Sequence, residues 1–476
     1  MMAAKFGTSG LRGLVGELTD GTAAAHARAF ARHLRLSAMA AEGAPVFLGR
    51  DLRASSPEIA GQCAAALLAE GFEPVDCGVL PTPALALHAM AKGAAALMIT
   101  GSHIPDDRNG VKFYRPDGEI DKQDEAAISR LAPEFLLGPL SAPSGLRDET
   151  AAATAAFIDR YRGFTTGDML RGLRIGLYEH SSAASGVLAE ILQEAGVEVV
   201  RLGRSDVFVP VDTEAVSDET RALVAGWVCS HGLDGLVSAD GDGDRPLVAD
   251  ETGQVLRGDA LGLIVARYLG ADAIVTPVTS NSGIESRCQA RVHRTRVGSP
   301  FVISGMAQAL AGGASRVIGF EANGGVLTGN DIEVGTARLA ALPTRDSVLP
   351  VLSAFAAARA AGQSLSAHVA ALGLPVAASD RIENFPTATS KALLAELSED
   401  AAVRDSFFEP IGPVSTVDLT DGFRVTLQNG AIVHLRPSGN APEMRIYSEA
   451  ATEAEARKLI VSTVGRVHEH CRPHSS

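Results

Sequence analysis

One alternation constrains this chain more than anything else: short apolar runs alternate with Ala- and Leu-rich stretches of helical length, until the pattern changes near residue 370. Residues 45–48 read as a strand, 57–70 as a helix and 95–100 as a strand. The series restarts with strands at 173–178, 197–202 and 234–238 around a helix at 185–195. It restarts again with strands at 271–276, 291–297 and 317–321 around a helix at 283–290. Strand–helix–strand order implies right-handed crossovers and parallel pairing. Beyond residue 370 the runs 414–419, 423–427, 432–436 and 444–448 are too close together for intervening helices. Asp-Gly and Asn-Gly turns join them into an antiparallel meander, and a helix at 452–469 follows. The expected fold is α/β: three consecutive mixed, mostly parallel α/β domains (1–148, 149–252 and 253–370) plus a C-terminal α+β domain (371–476) with an antiparallel sheet. A length of 476 residues fits several cores rather than one. Linkers are expected at 138–147, near 250–258 and at 362–378.

The formal net charge of -14 repels nucleic acid and anionic membranes. Any anionic substrate must therefore meet basic groups concentrated locally. The five cysteines are scattered without metal-site spacing, which fits reduced thiols and a cytoplasmic setting. The first ten residues lack the apolar core of a signal peptide, and no apolar run approaches membrane-spanning length. Small molecules are the expected partners, with no nucleic acid and no membrane; monomer and homodimer both stay open.

Five short segments carry chemistry. In Thr100-Gly101-Ser102-His103-Ile104-Pro105, an apolar strand delivers a serine onto a loop beside a histidine. Lys112 follows ten residues later, where Asn109-Gly110 reads as a turn that folds it back. A serine hydroxyl is a poor nucleophile without such neighbours. In Asp240-Gly241-Asp242-Gly243-Asp244-Arg245, three carboxylates repel one another unless a cation sits between them, and an oxygen-only set indicates Mg²⁺ or Ca²⁺. Asp240, Asp242, Asp244 and Glu251 have EF-hand spacing, but Arg245 stands where that loop needs glycine and a strand precedes it. In Gly319-Phe320-Glu321-Ala322-Asn323-Gly324-Gly325, Glu321 and Asn323 can bind sugar hydroxyls. Arg436-Pro437-Ser438-Gly439-Asn440-Ala441-Pro442, with Arg445 beyond, can cradle a phosphate dianion. Arg12 comes from a glycine-rich opening, Gly7 to Gly13. Taken singly, each segment also reads as an ordinary turn. Together they describe phosphoryl transfer on a sugar.

At these residues the sequence resembles the α-D-phosphohexomutase family over its whole length. The family's serine loop usually reads TASHNP and here reads TGSHIP; its DGDGDR loop is intact. The sugar loop of many relatives reads GEMSGH or GEQSGH, so Asn323 and Gly325 depart from serine and histidine. Asn440 and Ala441 replace Thr and Glu of RPSGTEP. Ser299, Pro300 and Phe301 stand where a further histidine is expected. The resemblance implies a heart-shaped, four-domain body around one cleft. It implies that Ser102 carries a phosphate which, with Asp240, Asp242 and Asp244, holds Mg²⁺. Arg12, His103, Lys112 and Arg245 would line the reacting centre, and Lys112 or His103 would shuttle the proton. Glu321 and Asn323 would bind the sugar; Arg436, Ser438, Gly439, Asn440 and Arg445 would bind its second phosphate. The implied reaction interconverts hexose 6-phosphate and hexose 1-phosphate, with a hexose 1,6-bisphosphate as intermediate and activator. Mannose is the favoured sugar, glucose or dual use the alternative. A non-catalytic sugar-phosphate binder would need neither the serine nor the aspartates, and a phosphatase would need water at the serine.

Overall fold

The computed structural model describes residues 4–7, 10–165, 168–334, 337–438 and 442–471. Its first sheet runs in the order Lys5–Phe6, Leu11–Leu14, Arg108–Arg115, Ala95–Ile99, Pro45–Arg50, Glu73–Val79, Arg147–Asp148. Ala95–Ile99, Pro45–Arg50, Glu73–Val79 and Arg147–Asp148 are parallel; Arg108–Arg115 and the two strands before it are antiparallel. The second sheet sets Arg174–His180 between Glu198–Arg204 and Gly235–Ala239, all parallel, with Pro246–Ala249 antiparallel at the edge. The third repeats the plan around Ala273–Pro277, parallel to Arg291–Thr295 and Val317–Phe320, with antiparallel Val326–Thr328 beyond. Each parallel core thus ends in an antiparallel return strand. The loop between the last parallel strand and its return carries a chemical segment: Ser102, Asp240–Arg245 and Glu321–Gly325.

The C-terminal sheet is wholly antiparallel, in the order Val376–Ile382, Met444–Ala450, Ile432–Pro437, Phe423–Leu427, Val414–Asp418. Gly422 and Gly430 take positive φ at the two expected turns. The closing helix Glu453–His470 starts at Thr452, which forms a capping box with Glu455. Among the described residues no single helix is long and apolar enough to cross a membrane.

One apolar cluster extends from Phe47 to Leu372 and so runs through all three α/β units. The C-terminal sheet has its own core around Phe408, Phe423, Val433 and Ile446. Polar contacts join the two bodies. Ser282 N–H and Oγ–H donate to Glu449, Asn281 Nδ2 donates to Pro375 O, and Val297 N donates to Asp421 Oδ2. Such contacts remain hydrated when they part, so separating them costs less than opening an apolar core.

Three local expectations need correction. Asn109-Gly110 is not a turn but the start of the strand Arg108–Arg115. The buried Asn109 amide donates to Ser55 and Ser56 Oγ, and a side chain at Gly110 would fall 2.2 Å from Leu11 O of the neighbouring strand. Close strand approach, not reversal, demands this glycine. The helix expected at 283–290 shortens to Ile284–Arg287. The linker expected at 362–378 contains the helix Leu365–Ala371, started by Ser364 as its cap, and the first residues of Val376–Ile382.

Candidate active site

Ser102 is buried and holds a left-handed backbone, φ +56°, a conformation that costs energy for a non-glycine residue and persists where surroundings impose it. The imposing group is Arg53, which sequence reasoning missed. Fully buried, it donates Nη2 to Ser102 O (3.0 Å) and Ile104 O (2.6 Å), and Nη1 to Pro105 O (2.8 Å) and Arg108 O (3.0 Å). Its Nε donates to Asp51 Oδ2 at 3.2 Å. Asp51 also accepts from Thr100 Oγ1 (2.7 Å) and Ser56 Oγ (2.5 Å), tying the loop to the strand end. A side chain at Gly101 would lie 2.4 Å from the Arg53 guanidinium carbon, which accounts for glycine there. Arg53 stands alone in the sequence, and only its position just after the strand Pro45–Arg50 could have flagged it. Arg53→Met should strip these bonds and leave Asp51 buried without its cation. A stability loss of about 3–5 kcal/mol is expected in urea unfolding. An unchanged urea midpoint would mean the loop is held otherwise.

Ser102 Oγ donates to Asp240 Oδ2 and lies 3.2 Å from His103 Nδ1. Asp240, Asp242 and Asp244 are fully buried, with one oxygen of each within 4.8 Å of the others. Asp240 Oδ1 accepts the Asp244 and Arg245 N–H groups at 3.1 and 3.2 Å. Burial, and then repulsion by Asp242 and Asp244, pushes the Asp240 carboxyl up to about 8. Lys112, delivered by its strand opposite Met98, donates Nζ to Asp242 at 2.6 Å and to Asp244 at 2.5 Å. Burial acts against ionisation of Asp244, but Arg345, Lys112 and Arg245 outweigh it and hold the carboxyl below its usual range. Asp242 Oδ1 and Asp244 Oδ1 are buried and have no hydrogen-bond partner among the described residues. Two unpartnered carboxylate oxygens beside a serine oxygen fit a hard, oxygen-preferring divalent cation.

Arg245 Nη1 donates to His103 Nδ1 at 3.1 Å, and its Nε lies 3.7 Å from Asp244 and 3.9 Å from Asp240. Burial first, and then the Arg245 charge, holds the His103 imidazole down at about 3, so the ring is neutral. Arg12 donates Nη1 to Thr100 O, and burial lowers its guanidinium to about 10. The four other catalytic-type residues named from sequence, His103, Lys112, Arg12 and Arg245, are therefore brought together around Ser102 and the aspartates.

The sugar loop joins this centre through Arg345, a second residue that sequence reasoning missed. Buried, it donates to Asp244 Oδ2 from Nη2 (2.9 Å) and Nε (3.1 Å), and from Nη1 to Glu321 Oε2 (3.0 Å). One oxygen of Glu321 is thus committed within the protein. Asn323 Oδ1 accepts the Gly325 N–H at 3.0 Å, and its Nδ2 lies 3.5 Å from Glu321. A side chain at Gly325 would strike the Arg345 stem at 2.6 Å, which accounts for glycine at this position. Ser299 Oγ donates to Glu119 Oε2 at 2.6 Å, a bridge to the first sheet.

Of the phosphate segment, Gly439 and Asn440 lie outside the described residues. Ser438 is buried and donates its N–H to Glu443 O at 2.9 Å. Arg436 Nε sits 3.1 Å from Asp421 Oδ1, and Arg445 Nε sits 3.7 Å from Glu443 Oε2. Arg445 and Tyr447 are both close enough to Glu214 of the second unit to feel its charge.

Family models of phosphoglucomutase/phosphomannomutase match in chain order: α/β/α domain I at 3–134, domain II at 156–253, domain III at 257–373 and the C-terminal domain at 383–465. With these four domains and a serine aimed at a buried acidic triad, the chain belongs to the phosphoglucomutase/phosphomannomutase family of phosphohexomutase enzymes. It is 52% identical over 467 residues to a phosphomannomutase of Sinorhizobium fredii, covering 96% of this chain and 98% of the relative. It is 42% identical over 467 residues to a phosphomannomutase of Salmonella muenchen, covering 97% and 95%. A phosphoglucosamine mutase of Mycobacterium ulcerans is 29% identical over 98% of this chain and 99% of its own. Among solved structures, a phosphoglucomutase/phosphomannomutase family protein of Burkholderia thailandensis shares the fold with TM-score 0.77 at 20% identity over 98% of each chain.

Proposed function

We propose that this protein is a phosphomannomutase, interconverting mannose 6-phosphate and mannose 1-phosphate through phospho-Ser102. The observation that carries the reading is Ser102 Oγ donating to Asp240 within a buried triad in which one oxygen each of Asp242 and Asp244 lacks a hydrogen-bond partner among the described residues. The two relatives above 40% identity, both named phosphomannomutases, favour mannose over glucosamine. In the forward half-reaction the sugar's free hydroxyl oxygen bonds to phosphorus as the P–Oγ bond of phospho-Ser102 breaks. The hydroxyl loses one proton and Ser102 Oγ gains one, giving a hexose 1,6-bisphosphate. That intermediate turns end over end, and its other phosphate returns to Ser102. Asp240, Asp242, Asp244 and Ser102 would hold Mg²⁺, which when bound offsets charge on the transferring group. Arg245 and Arg12 add positive charge at that point. Lys112, whose ammonium reaches Asp242 and Asp244 beside Ser102, is the candidate to shuttle the proton, since burial and Arg245 leave His103, 3.2 Å from the serine oxygen, a weak base. The C-terminal arginines hold the phosphate that is not reacting, and a hexose 1,6-bisphosphate recharges protein that has lost its phosphate. The five cysteines, all unpaired, support a cytoplasmic setting. The test is a mutase assay comparing mannose 1-phosphate, glucose 1-phosphate and glucosamine 1-phosphate with Mg²⁺ and bisphosphate present. Preference for glucosamine 1-phosphate would overturn the assignment.

The clamp role makes a separable prediction. Arg436→Ala removes one arginine from a dianion and should cost about 30- to 1000-fold in kcat/KM, since roughly 2–4 kcal/mol follows loss of one partner of a buried charge pair. Mg²⁺ affinity should not change, because the aspartates sit on another unit. Unchanged sugar kinetics would place the clamp elsewhere.

A further inference from the structure

The segment 205–217, between the strand Glu198–Arg204 and the helix Asp218–His231, carries none of the motifs discussed above, yet it touches two of the catalytic loops. Phe208 packs its ring 3.9 Å from the Arg53 guanidinium, against the serine loop. Asp212 Oδ2 lies 3.9 Å from His103 Nε2. Thr213, buried, donates Oγ1 to Asn323 O at 3.2 Å, fastening the segment to the sugar loop. Asp212 Oδ1 accepts the N–H groups of Glu214 (2.9 Å) and Ala215 (3.1 Å), which fixes the turn that presents Glu214.

Glu214 is exposed to solvent and has no ion pair among the described residues. Its surroundings are nonetheless crowded with charge. Asp212 and Glu321 repel its carboxylate, and Arg445 and Arg245 attract it. Arg257 also feels its charge. This solvent-accessible carboxylate follows Thr213, which is fastened to the sugar loop, and stands within electrostatic reach of groups from the second, third and fourth units. A phosphosugar is a neutral polyol with an anion at one end or both. A carboxylate here repels phosphate but accepts hydrogen bonds from hydroxyls.

Resting on the mutase reading above, we infer that Glu214 is a sugar-binding, specificity-determining residue: its carboxylate accepts hydrogen bonds from ring hydroxyls, alongside Glu321. Glu214 comes from the second unit and Glu321 from the third. Two carboxylates on separate loops let the site hold the ring in both orientations that the reaction requires. Discrimination arises because a hydroxyl of the wrong configuration leaves a carboxylate without its donor.

The experiment compares wild type, Glu214→Gln and Glu214→Ala. It measures kcat/KM for mannose 1-phosphate and glucose 1-phosphate, and calorimetric binding of both sugars and of inorganic phosphate. The Glu214 side chain is exposed and the turn uses only its backbone N–H, so both variants should fold; equal melting temperatures check this. Glu214→Ala is expected to lower kcat/KM for the preferred sugar about 10- to 100-fold and to change the ratio between the two sugars. Inorganic phosphate should bind as well as before or better, since a repelling charge is gone. Sugar kinetics within twofold of wild type would overturn the inference, as would equal losses for both sugars and for inorganic phosphate. Wild-type protein that turns over neither sugar would instead sink the mutase reading, and this inference with it.

Discussion

Ser102→Ala should abolish mutase turnover, with a loss of at least about a thousandfold in kcat, because it removes the hydroxyl that faces Asp240 and would carry the relayed phosphate. The protein should remain folded. Alanine keeps the Cβ, and the left-handed backbone is imposed by Arg53 bonding to carbonyls rather than to the Ser102 hydroxyl. Intact mass of freshly purified wild type should include a species one phosphate heavier, absent from the variant. Incubation with hexose 1,6-bisphosphate should increase that species in wild type only. Near-normal turnover by Ser102→Ala would refute the covalent mechanism.

Chelation should have a comparable effect. EDTA is expected to abolish activity and Mg²⁺ to restore it. Asp242→Asn removes one of three negative charges and one of the two unpartnered oxygens, and should weaken Mg²⁺ binding by at least about tenfold. A readout independent of turnover is available. Mg²⁺ at a hundred times its dissociation constant should stabilise the wild type by about 2.7 kcal/mol, and the same concentration should stabilise the variant less. Full activity in metal-free buffer would exclude this use of the triad.

The parallel cores, the antiparallel terminal sheet and the strand ends bearing Ser102, Asp240 and Glu321 were legible in sequence because apolar periodicity and Gly-containing loops signal them locally. What escaped was long-range. Arg53 lies 49 residues from Ser102, and Arg345 lies 101 from Asp244; neither has a neighbouring signature. Their roles exist only where separate loops meet. Asn109-Gly110 misled because the pair that forms a tight turn also forms a close strand crossing, and a single strand does not reveal what lies beside it. The segment around Glu214 was silent for the same reason, since its meaning comes from Arg53, His103 and Asn323.

Arg345 has a consequence for redesign. One guanidinium balances Asp244 in the metal loop and Glu321 in the sugar loop. Neutralising Glu321 to alter sugar choice would leave a buried surplus positive charge beside the aspartates and weaken their hold on a cation. Sugar preference and metal affinity are thus joined on this wall of the site, and variants selected for one will drift in the other. Glu214 makes no ion pair among the described residues, so a change of charge there would unbalance the aspartates less directly than a change at Glu321.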